Sequence, residues 1–294
     1  MEFRPLRAFV EVVRQGGFSQ AAKVVFATQS TISKAVKQLE DEVGVPLLDR
    51  IGHRSVMTPA GEAVYRRGVK LLADRDDLLA ELDEIRGLKR GVLRLGLPPV
   101  GSSTLFAPLF AVYRQRYPGI EVRLVEHGSA QLEERLRAGD IDFAGALLST
   151  SEEFDWEPVR EEPLVALLPS SHPLCERSSI ALKDIRELPF ILFDPSFALH
   201  RMILDACGKA GIAPNIAAQS SQIDFMVELV SAGMGVAFLP RMIAAQRAQS
   251  RVRHVLLDDP GLVWVMAMAW RRGAYLSGAA KAWLDLVREG RAKA

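Results

Sequence analysis

The side chains best suited to recognising another molecule lie in one short polar and basic segment near the N-terminus. These side chains are Gln29, Ser30, Thr31, Ser33, Lys34 and Lys37. Ile32, Val36 and Leu39 recur among them at intervals of three and four, which predicts a helix with an apolar inner stripe and a polar outer face. Glutamine can pair with adenine, lysine with guanine or phosphate, and the threonine methyl with thymine. The segment predicts either a DNA-reading helix or an ordinary solvated helix face.

The flanking residues predict the elements that would position this segment. Apolar residues recur with helical spacing over residues 3–43, and Gly16-Gly17 interrupts them. Ser19 is the expected N-cap of a short second helix, and Thr28 is the expected N-cap of a third helix that runs to about Val43. Two such helices joined by a tight turn make a helix-turn-helix, whose second helix places its N-terminal residues on base edges in the major groove.

A small β-hairpin, or wing, is expected after this third helix, because short β-prone pieces in residues 45–58 flank a glycine-containing turn. Arg50, His53 and Arg54 lie in this segment and could reach phosphate or the minor groove. The first 70 residues hold 11 Lys and Arg against 7 Asp and Glu, whereas the whole chain holds 37 against 36. The positive charge is therefore concentrated where DNA contacts are expected.

A long helix is predicted from Pro59 to about Gly87, since proline suits the first helical position and no other proline occurs before Pro98. Its apolar residues include a seven-residue repeat, which favours pairing with a second helix. The residues predicted for this dimerisation seam are Val64, Leu71, Leu78, Leu82 and Ile85. The alternative is that they pack on their own domain.

The composition of the whole chain restricts the class of protein. A length of 294 residues predicts two or three domains, and 49% hydrophobic with 25% charged residues is typical of globular proteins. No secretion signal is evident, and the apolar run Leu262–Trp270 is too short to span a bilayer, so a cytoplasmic protein without membrane contact is expected.

Cysteine and histidine placement argues against metal, disulfide and catalytic sites. Cys175 and Cys207 form no CxxC pair, and the five histidines are scattered. No nucleophile-elbow motif accompanies the serines. We therefore expect neither an enzyme, nor a metal site, nor a cofactor.

From Gly91 onward, strand-like and helix-like segments alternate. The strand-like segments are VLRLGL, IEVRLVE, IDFAGAL, PLVALLP, PFILF, a short piece near Ile216, VAFLP and VWVMAMAW. Helices are expected over 103–116, 130–138, 198–210, 222–232 and 278–289. This alternation predicts parallel α/β sheets in two lobes, each covered on both faces.

The residues from FVEVVRQGGFSQAAKVVFATQSTISK to MTPAG resemble the winged helix-turn-helix of the LysR-type transcriptional regulators. Shared positions include Phe18-Ser19, Ala21-Ala22, Gln29, Leu39-Glu40 and Ala60-Gly61. YRQRYPGIEV, LRAGDIDFA and VSAGMGVAFLP extend the resemblance over nearly the whole chain. The sequence departs from the family pattern at Ser30, where proline is usual, and at Leu48, where phenylalanine is usual.

The resemblance implies that the last 200 or so residues form a periplasmic-binding-protein-like effector domain of two lobes. PLVALLP would cross from the first lobe to the second, and VWVMAMAW would return. Ligands in such sheets bind at the carboxyl ends of strands, near helix N-termini. The positions expected at the effector site are Ser102, Ser103, Ser129, Ala146, Phe197 and His200. Simple helix capping is the alternative for each serine.

These observations predict an α/β protein with a winged helix-turn-helix over residues 1–58, a linker and dimerisation helix over 59–88, and an effector-binding domain over 89–294. Within that domain, we expect lobe one at about 89–162 and 268–294, and lobe two at about 163–267. The expected function is DNA-binding transcriptional regulation controlled by a small-molecule effector, with a small organic anion favoured. The expected partners are double-stranded DNA, the effector, one or three further copies in a homodimer or homotetramer, and RNA polymerase as a further candidate. A cytoplasmic solute receptor, or an enzyme on the same two-lobed fold, is the alternative.

Overall fold

The computed structural model describes residues 2–51, 54–85, 91–147, 152–247, 251–259 and 261–291. The chain divides into two compact units. The first comprises residues 1–87 with 137–140, and the second comprises residues 88–136 with 141–294. Among the described residues, no helix has both the length and the apolar character needed to cross a membrane.

The first unit is mainly helical. Its elements are α1 (Phe3–Arg14), α2 (Phe18–Val24), α3 (Gln29–Val43), β1 (Leu48–Ile51), β2 (Arg54–Met57) and α4 (Pro59–Ile85). The antiparallel pair β1–β2, with Leu48 opposite Met57 and Ile51 opposite Arg54, is the expected wing. The three helices, the wing and the long fourth helix confirm the order of elements predicted from the sequence.

The core of this unit forms where α1, α2, α3 and α4 present their apolar stripes to one another. Leu6, Phe9, Ile32 and Leu39 are among its buried members. Gly68 lets α4 approach α1 closely, since a β-carbon at this position would stand 2.6 Å from the Leu6 Cδ1. A side chain at position 68 would therefore require the Leu6 side chain to shift.

The expected N-cap at Ser19 is wrong. Helix α2 begins at Phe18, and Gly17 occupies the capping position with an extended backbone and no side-chain cap. The Ser19 hydroxyl instead donates to the Gln29 Oε1 at 3.1 Å, which links α2 to the first residue of α3. Ser19 therefore bonds to a side chain ten residues away and does not cap the helix.

The second unit alternates strands and helices, as the sequence predicts. Its first strands and helices are β3 (Val92–Leu97), α5 (Ser102–Arg116), β4 (Glu121–Glu126), α6 (Ser129–Arg137), β5 (Phe143–Leu147) and β6 (Phe154–Pro169). They are followed by β7 (Ser179–Ile180), β8 (Phe190–Phe193), α7 (Ala198–Lys209), β9 (Ile216–Ser220), α8 (Ile223–Ser231) and β10 (Val236–Pro240). The last are α9 (Arg241–Ala245), β11 (Val252–Leu257), β12 (Val263–Arg271) and α10 (Gly278–Arg291).

The strands lie in the order β4-β3-β5-β12-β6-β10-β8-β9, with β11 beside β6 and β7 beside β11. Strand β6 is shared by both lobes. Its residues up to Pro163 pair with β12, and those from Leu164 onward pair with β10 and β11. The crossing strand is therefore longer than the PLVALLP segment from which it was expected.

Two further features of the sheets differ from expectation. Strand β12 runs antiparallel to β5 and β6, and β6 runs antiparallel to β10 and β11, so the sheets are mixed rather than parallel. The first part of β6 was missed because it is charged and contains Pro158, which lacks the N–H that a sheet ladder uses. A register shift between Met266 and Ala267 of β12 pairs them with Arg160 and Pro158, so that Val159, next to the proline, has no partner residue.

Candidate functional site

The N-terminal end of α3 is the first candidate site. The Thr28 side chain accepts a hydrogen bond from the Thr31 N–H at 3.2 Å, which confirms the expected cap. Ile32, Val36 and Leu39 are buried. The polar set therefore lies on the opposite face, where every member is exposed except Ser33, which is half-buried.

Four of the side chains in this set have partners within the chain, and these partners limit what they can offer to DNA. Gln29 accepts a hydrogen bond from Ser19, the Ser30 and Thr31 side chains each share one with the Thr28 hydroxyl, and Lys37 pairs with Asp41. The Lys37 ammonium lies 3.6 Å from the Asp41 carboxylate, one helical turn away, and both are exposed. Such a pair is weak and screened by salt, so it can be exchanged for a phosphate contact. Among the described residues, Lys34 makes no ion pair. Lys34 therefore presents the more available charge.

The wing supplies the second group of expected DNA contacts. The pairing of β1 with β2 places Arg50 opposite Ser55 and Arg54 opposite Ile51. The side chains of Arg50 and Arg54, and His53 as a whole, lie outside the described residues. The structure therefore establishes the strand pairing of the wing but not the positions of these three side chains.

The expected seam on α4 divides into buried and exposed residues. Val64 is half-buried and packs against the core of the first unit. Leu71, Leu78 and Leu82 are 42%, 55% and 40% exposed. The Ile85 side chain lies outside the described residues. Three large leucines on one helix, exposed in the single chain, are available to a partner helix.

In the second unit, Ser129 is the first residue of α6, directly after the loop that follows β4. The Gly128 carbonyl accepts from the Leu132 N–H at 3.1 Å, so Gly128 occupies the N-cap position. Ser129 is buried, and among the described residues its hydroxyl has no hydrogen-bond partner. The capping alternative therefore does not describe this serine.

Ser102 and Ser103 follow β3 at the start of α5, but they differ from Ser129. Ser102 is buried, and its hydroxyl donates to the Pro98 carbonyl within the same loop. Ser103 is exposed. Gly101, at φ of 95°, brings this loop against Trp264, since a β-carbon here would stand 2.8 Å from the indole ring. The hydroxyl hydrogen of Ser102 is therefore used in a bond within its own loop.

Phe197 and His200 lie at the start of α7, after β8. Phe197 precedes the helix and stacks on Phe193, with ring centroids 5.2 Å apart and planes inclined by 24°. The His200 Nδ1 lies 2.7 Å from the Phe193 carbonyl oxygen. A carbonyl only accepts, so Nδ1 carries the hydrogen in this bond.

The loops that carry Ser129 and Phe197 are brought together in the fold. A β-carbon on Gly128 would stand 2.8 Å from the Ser196 carbonyl oxygen, so the loop after β4 touches the loop after β8. The Ser196 N–H donates to the Asp194 carboxylate at 3.0 Å, and this bond lowers the pKa of Asp194. The β4–α6 and β8–α7 loops thus face each other across the two lobes.

Ala146 lies apart from these loops, in β5. It is buried opposite Ala267 of β12, and it lines a shallow apolar depression beside Trp156 and Glu133. Ala146 therefore belongs to the wall of lobe one.

Two polar features at the lobe crossing were missed in the sequence. Glu162 is buried in β6, with the Arg160 Nε at 2.9 Å and the Arg241 Nε at 3.9 Å. The Thr104 hydroxyl donates to the Gln246 side-chain oxygen at 3.0 Å, which joins α5 of lobe one to the residues after α9 of lobe two. Arg241 and Glu162 are about 80 positions apart in the chain, and Thr104 and Gln246 are 142 apart. No local sequence pattern could therefore indicate these contacts.

A capped recognition helix with a wing, followed by two α/β lobes that meet across facing loops, defines an effector-responsive DNA-binding regulator. Two family models match the chain: the lysR-family bacterial regulatory helix-turn-helix protein over residues 3–62, and the LysR substrate binding domain over residues 86–292. The chain therefore belongs to the LysR family of transcriptional regulators, which confirms the resemblance found in the sequence.

Similar proteins carry the same organisation along their whole length. The uncharacterized HTH-type transcriptional regulator YwbI of Bacillus subtilis is 35% identical over 286 residues, covering 97% of this chain and 95% of that protein. The HTH-type transcriptional regulator BudR of Raoultella terrigena is 34% identical, covering 92% and 95%. The crystal structure of HinK, a LysR family transcriptional regulator from Pseudomonas aeruginosa, is 29% identical, covers 100% and 99%, and superposes with a TM-score of 0.61.

Proposed function

We propose that residues 1–58 read an operator, that α4 within residues 59–88 pairs two chains, and that residues 89–294 bind the effector that controls operator affinity. A ligand that favours one arrangement of the lobes shifts the population of DNA-bound conformations, and a coupling of about 1–3 kcal/mol is sufficient. The observation that carries this proposal is the capped N-terminus of α3. There the polar side chains are exposed on one face of the helix, while the apolar residues of the opposite face are buried.

For DNA recognition, we assign base contacts to the first two turns of α3 and phosphate contacts to the wing. Gln29, Thr31 and Lys34 are exposed and carry the donors and methyl group that distinguish bases. Ser30, Ser33 and Lys37 complete this surface, while Arg50, His53 and Arg54 serve phosphate or the minor groove. Phosphate contacts give affinity without sequence preference, so only the α3 contacts should be sequence-selective.

The DNA-binding part of the proposal is tested with Lys34→Ala. The probe is a labelled duplex that the wild-type protein enriches from a randomised pool, compared with an unselected duplex. Loss of a lysine-to-guanine contact should weaken binding to the enriched duplex by about 1–3 kcal/mol. Lys209→Ala, an exposed lysine on α7, is the matched control and should change neither affinity. Equal weakening on both duplexes would make Lys34 a phosphate contact instead.

For effector recognition, we assign the central position to Ser129. Ser129 is buried as a residue, its hydroxyl has no partner among the described residues, and it stands at a helix N-terminus, whose free N–H groups favour negative charge. The facing loop contributes Phe197 and His200, while Ser102 and Ser103 begin α5 in lobe one and Ala146 lies in the wall of that lobe. A small organic anion with an apolar body, held between α6 and the Phe193–Phe197 stack, matches these groups.

The effector part of the proposal is tested with Ser129→Glu and Ser129→Ala. The glutamate variant places a negative charge at this helix N-terminus, where it should repel an anion, and the alanine variant removes the hydroxyl without adding charge or bulk at a buried position. A thermal-shift screen of mono- and dicarboxylic acids should find a stabilising compound for the wild type, weaker stabilisation for the alanine variant and none for the glutamate variant. Equal stabilisation of all three proteins would place the ligand elsewhere.

We also propose how the protein assembles and where it acts. The exposed leucines of α4 support a homodimer as the DNA-binding species, with a homotetramer as its further assembly. Binding without catalysis is supported by the naming of its relatives as transcriptional regulators. Such a regulator acts on DNA in the cytoplasm, and RNA polymerase is its further partner in transcription.

A further inference from the structure

The turn between α2 and α3 holds an aromatic residue in an unusual backbone conformation. Phe26 has φ of 53°, and it is the one non-glycine residue with positive φ in the part of the chain that the structure describes. The Ala27 N–H donates to the Ala22 carbonyl at 2.9 Å, and the Phe26 N–H reaches the Lys23 carbonyl at 3.4 Å. These two bonds are those of a Schellman motif, whose left-handed position is usually glycine or asparagine because other side chains crowd the backbone there.

The Phe26 ring gains nothing from its own chain in return for this conformation. Its side chain is 98% exposed, the highest value among the exposed large apolar residues that the structure describes. An exposed ring in a left-handed turn raises the free energy of the folded state relative to glycine at the same position. Backbone strain of this kind is a reason to look for a function that the residue serves.

The surroundings of Phe26 indicate what the ring contacts. It lies two residues before Thr28, whose hydroxyl caps α3 and is hydrogen-bonded to the Ser30 and Thr31 hydroxyls. A recognition helix enters the major groove by its N-terminal end, so the turn that precedes it lies at the rim of the groove. The exposed Lys23 nearby suits the phosphates of that rim.

A protein partner is less well matched to this surface. The large apolar residues exposed at this turn are Phe26 and the half-exposed Val24, and the exposed Lys23 and Thr28 flank them in the sequence. Surfaces that dock proteins are usually contiguous apolar patches of several hundred Å². A single ring among polar groups instead suits a thymine methyl or a deoxyribose, both of which are small apolar features of a charged polymer.

We propose that Phe26 is an additional operator contact, an inference that rests on the proposed operator binding. Its ring lies against a thymine methyl or sugar at the rim of the groove entered by α3. The contact explains why the ring is exposed and why a strained position holds a large side chain. It also adds a preference for thymine that the polar residues of α3 do not supply alone.

Three variants separate the ring from the backbone conformation. Phe26→Ala removes the ring and keeps a side chain at positive φ, Phe26→Gly removes the ring and relieves the backbone, and Phe26→Tyr keeps the ring. On a duplex enriched by the wild-type protein, the alanine and glycine variants should both bind about fivefold to tenfold more weakly, the size of one lost apolar base contact. The tyrosine variant should bind like the wild type, and the glycine variant should melt at a higher temperature than the alanine variant.

Replacing each thymine of that duplex in turn by deoxyuridine, which lacks the methyl, identifies the contact. At one rim position, the wild type should lose affinity and Phe26→Ala should not, whereas Lys34→Ala should retain the wild-type response. If the glycine variant binds the enriched duplex as tightly as the wild type, the proposed contact is wrong and the ring serves another partner. If the wild-type protein enriches no sequence at all, the proposed operator binding is wrong, and so is the Phe26 contact that depends on it.

Discussion

Gly61, near the start of α4, allows the long helix to pass against the segment before the wing. A β-carbon at this position would stand 2.0 Å from the Leu47 carbonyl oxygen and 3.0 Å from its carbon. That carbonyl also accepts from the Thr58 N–H at 3.0 Å, and the Leu47 N–H donates to the Glu40 carboxylate at 2.8 Å. The Leu47 backbone is thus held on both sides and cannot retreat without losing hydrogen bonds.

The cost of Gly61→Ala follows from these contacts. Forcing a methyl group into a packed position costs about 1–3 kcal/mol, and each lost hydrogen bond adds about 0.5–1.5 kcal/mol. Alanine in a helix recovers about 1 kcal/mol relative to glycine. If one of the two hydrogen bonds is lost, the net destabilisation of the first unit is about 0.5–3.5 kcal/mol, against the 5–15 kcal/mol typical of a folded domain. For a domain of this size, the melting temperature should fall by roughly 4–8 °C for each kcal/mol lost.

Calorimetry of the full chain, with operator binding measured in parallel, tests this expectation. Gly208→Ala is the matched control, because Gly208 also lies in a helix but nothing stands within 4 Å of its absent β-carbon. The control should leave stability unchanged or raise it by up to about 1 kcal/mol. A Gly61→Ala protein that melts and binds DNA like the wild type would show that α4 and Leu47 are not in this close contact.

Three further outcomes are expected. Leu78→Asp should lower the molecular mass measured by light scattering, because an unpaired carboxylate in an apolar seam costs several kcal/mol; Glu81→Asp on the same helix is its control. Thr28→Ala should destabilise the first unit by about 1 kcal/mol in a urea titration, because it removes the cap on α3. Cys207 should react with a thiol reagent at pH 8 only after unfolding, because burial raises the pKa of its thiol and the thiolate is the reactive form.

Each of these outcomes has a clear contrary result. If Leu78→Asp has the mass and the DNA affinity of the wild type, the α4 leucines do not form a dimer interface. An unfolding midpoint equal to that of the wild type would show that the Thr28 hydroxyl does not stabilise α3. Rapid labelling of Cys207 in the folded protein would contradict its burial, whereas labelling of the half-buried Cys175 alone would not.

Helices and strands with strong local patterns were predictable because local patterns determine them. The cap at Thr28, the buried stripe of α3 and the uninterrupted apolar strands β8 and β10 each depend on neighbours within a few residues. Phe197 and Ser129 were also placed correctly at helix starts, since strand-to-helix junctions are visible in the sequence. Their closeness in space was an expectation of the resemblance, and not of the local pattern.

Predictions failed where a distant partner outweighs the local pattern. Ser19 bonds to Gln29 rather than capping α2, and the charged first half of β6 becomes a strand because β12 pairs along its full length. Local rules assign both segments differently, because the free energy that decides them comes from groups far away in the chain.

The sequence by itself determined the order of elements, the polar face of α3 and membership in the LysR family, because periodicity, capping and a fifty-residue motif are properties of neighbouring residues. Only the tertiary structure decided which polar groups remain free. It commits the Ser102 hydroxyl to Pro98 while leaving Ser129 without a partner among the described residues. It also exposes the Phe26 ring at a strained turn. Burial and hydrogen bonding between distant segments are three-dimensional properties, so the chemistry available at a site is settled only when the chain has folded.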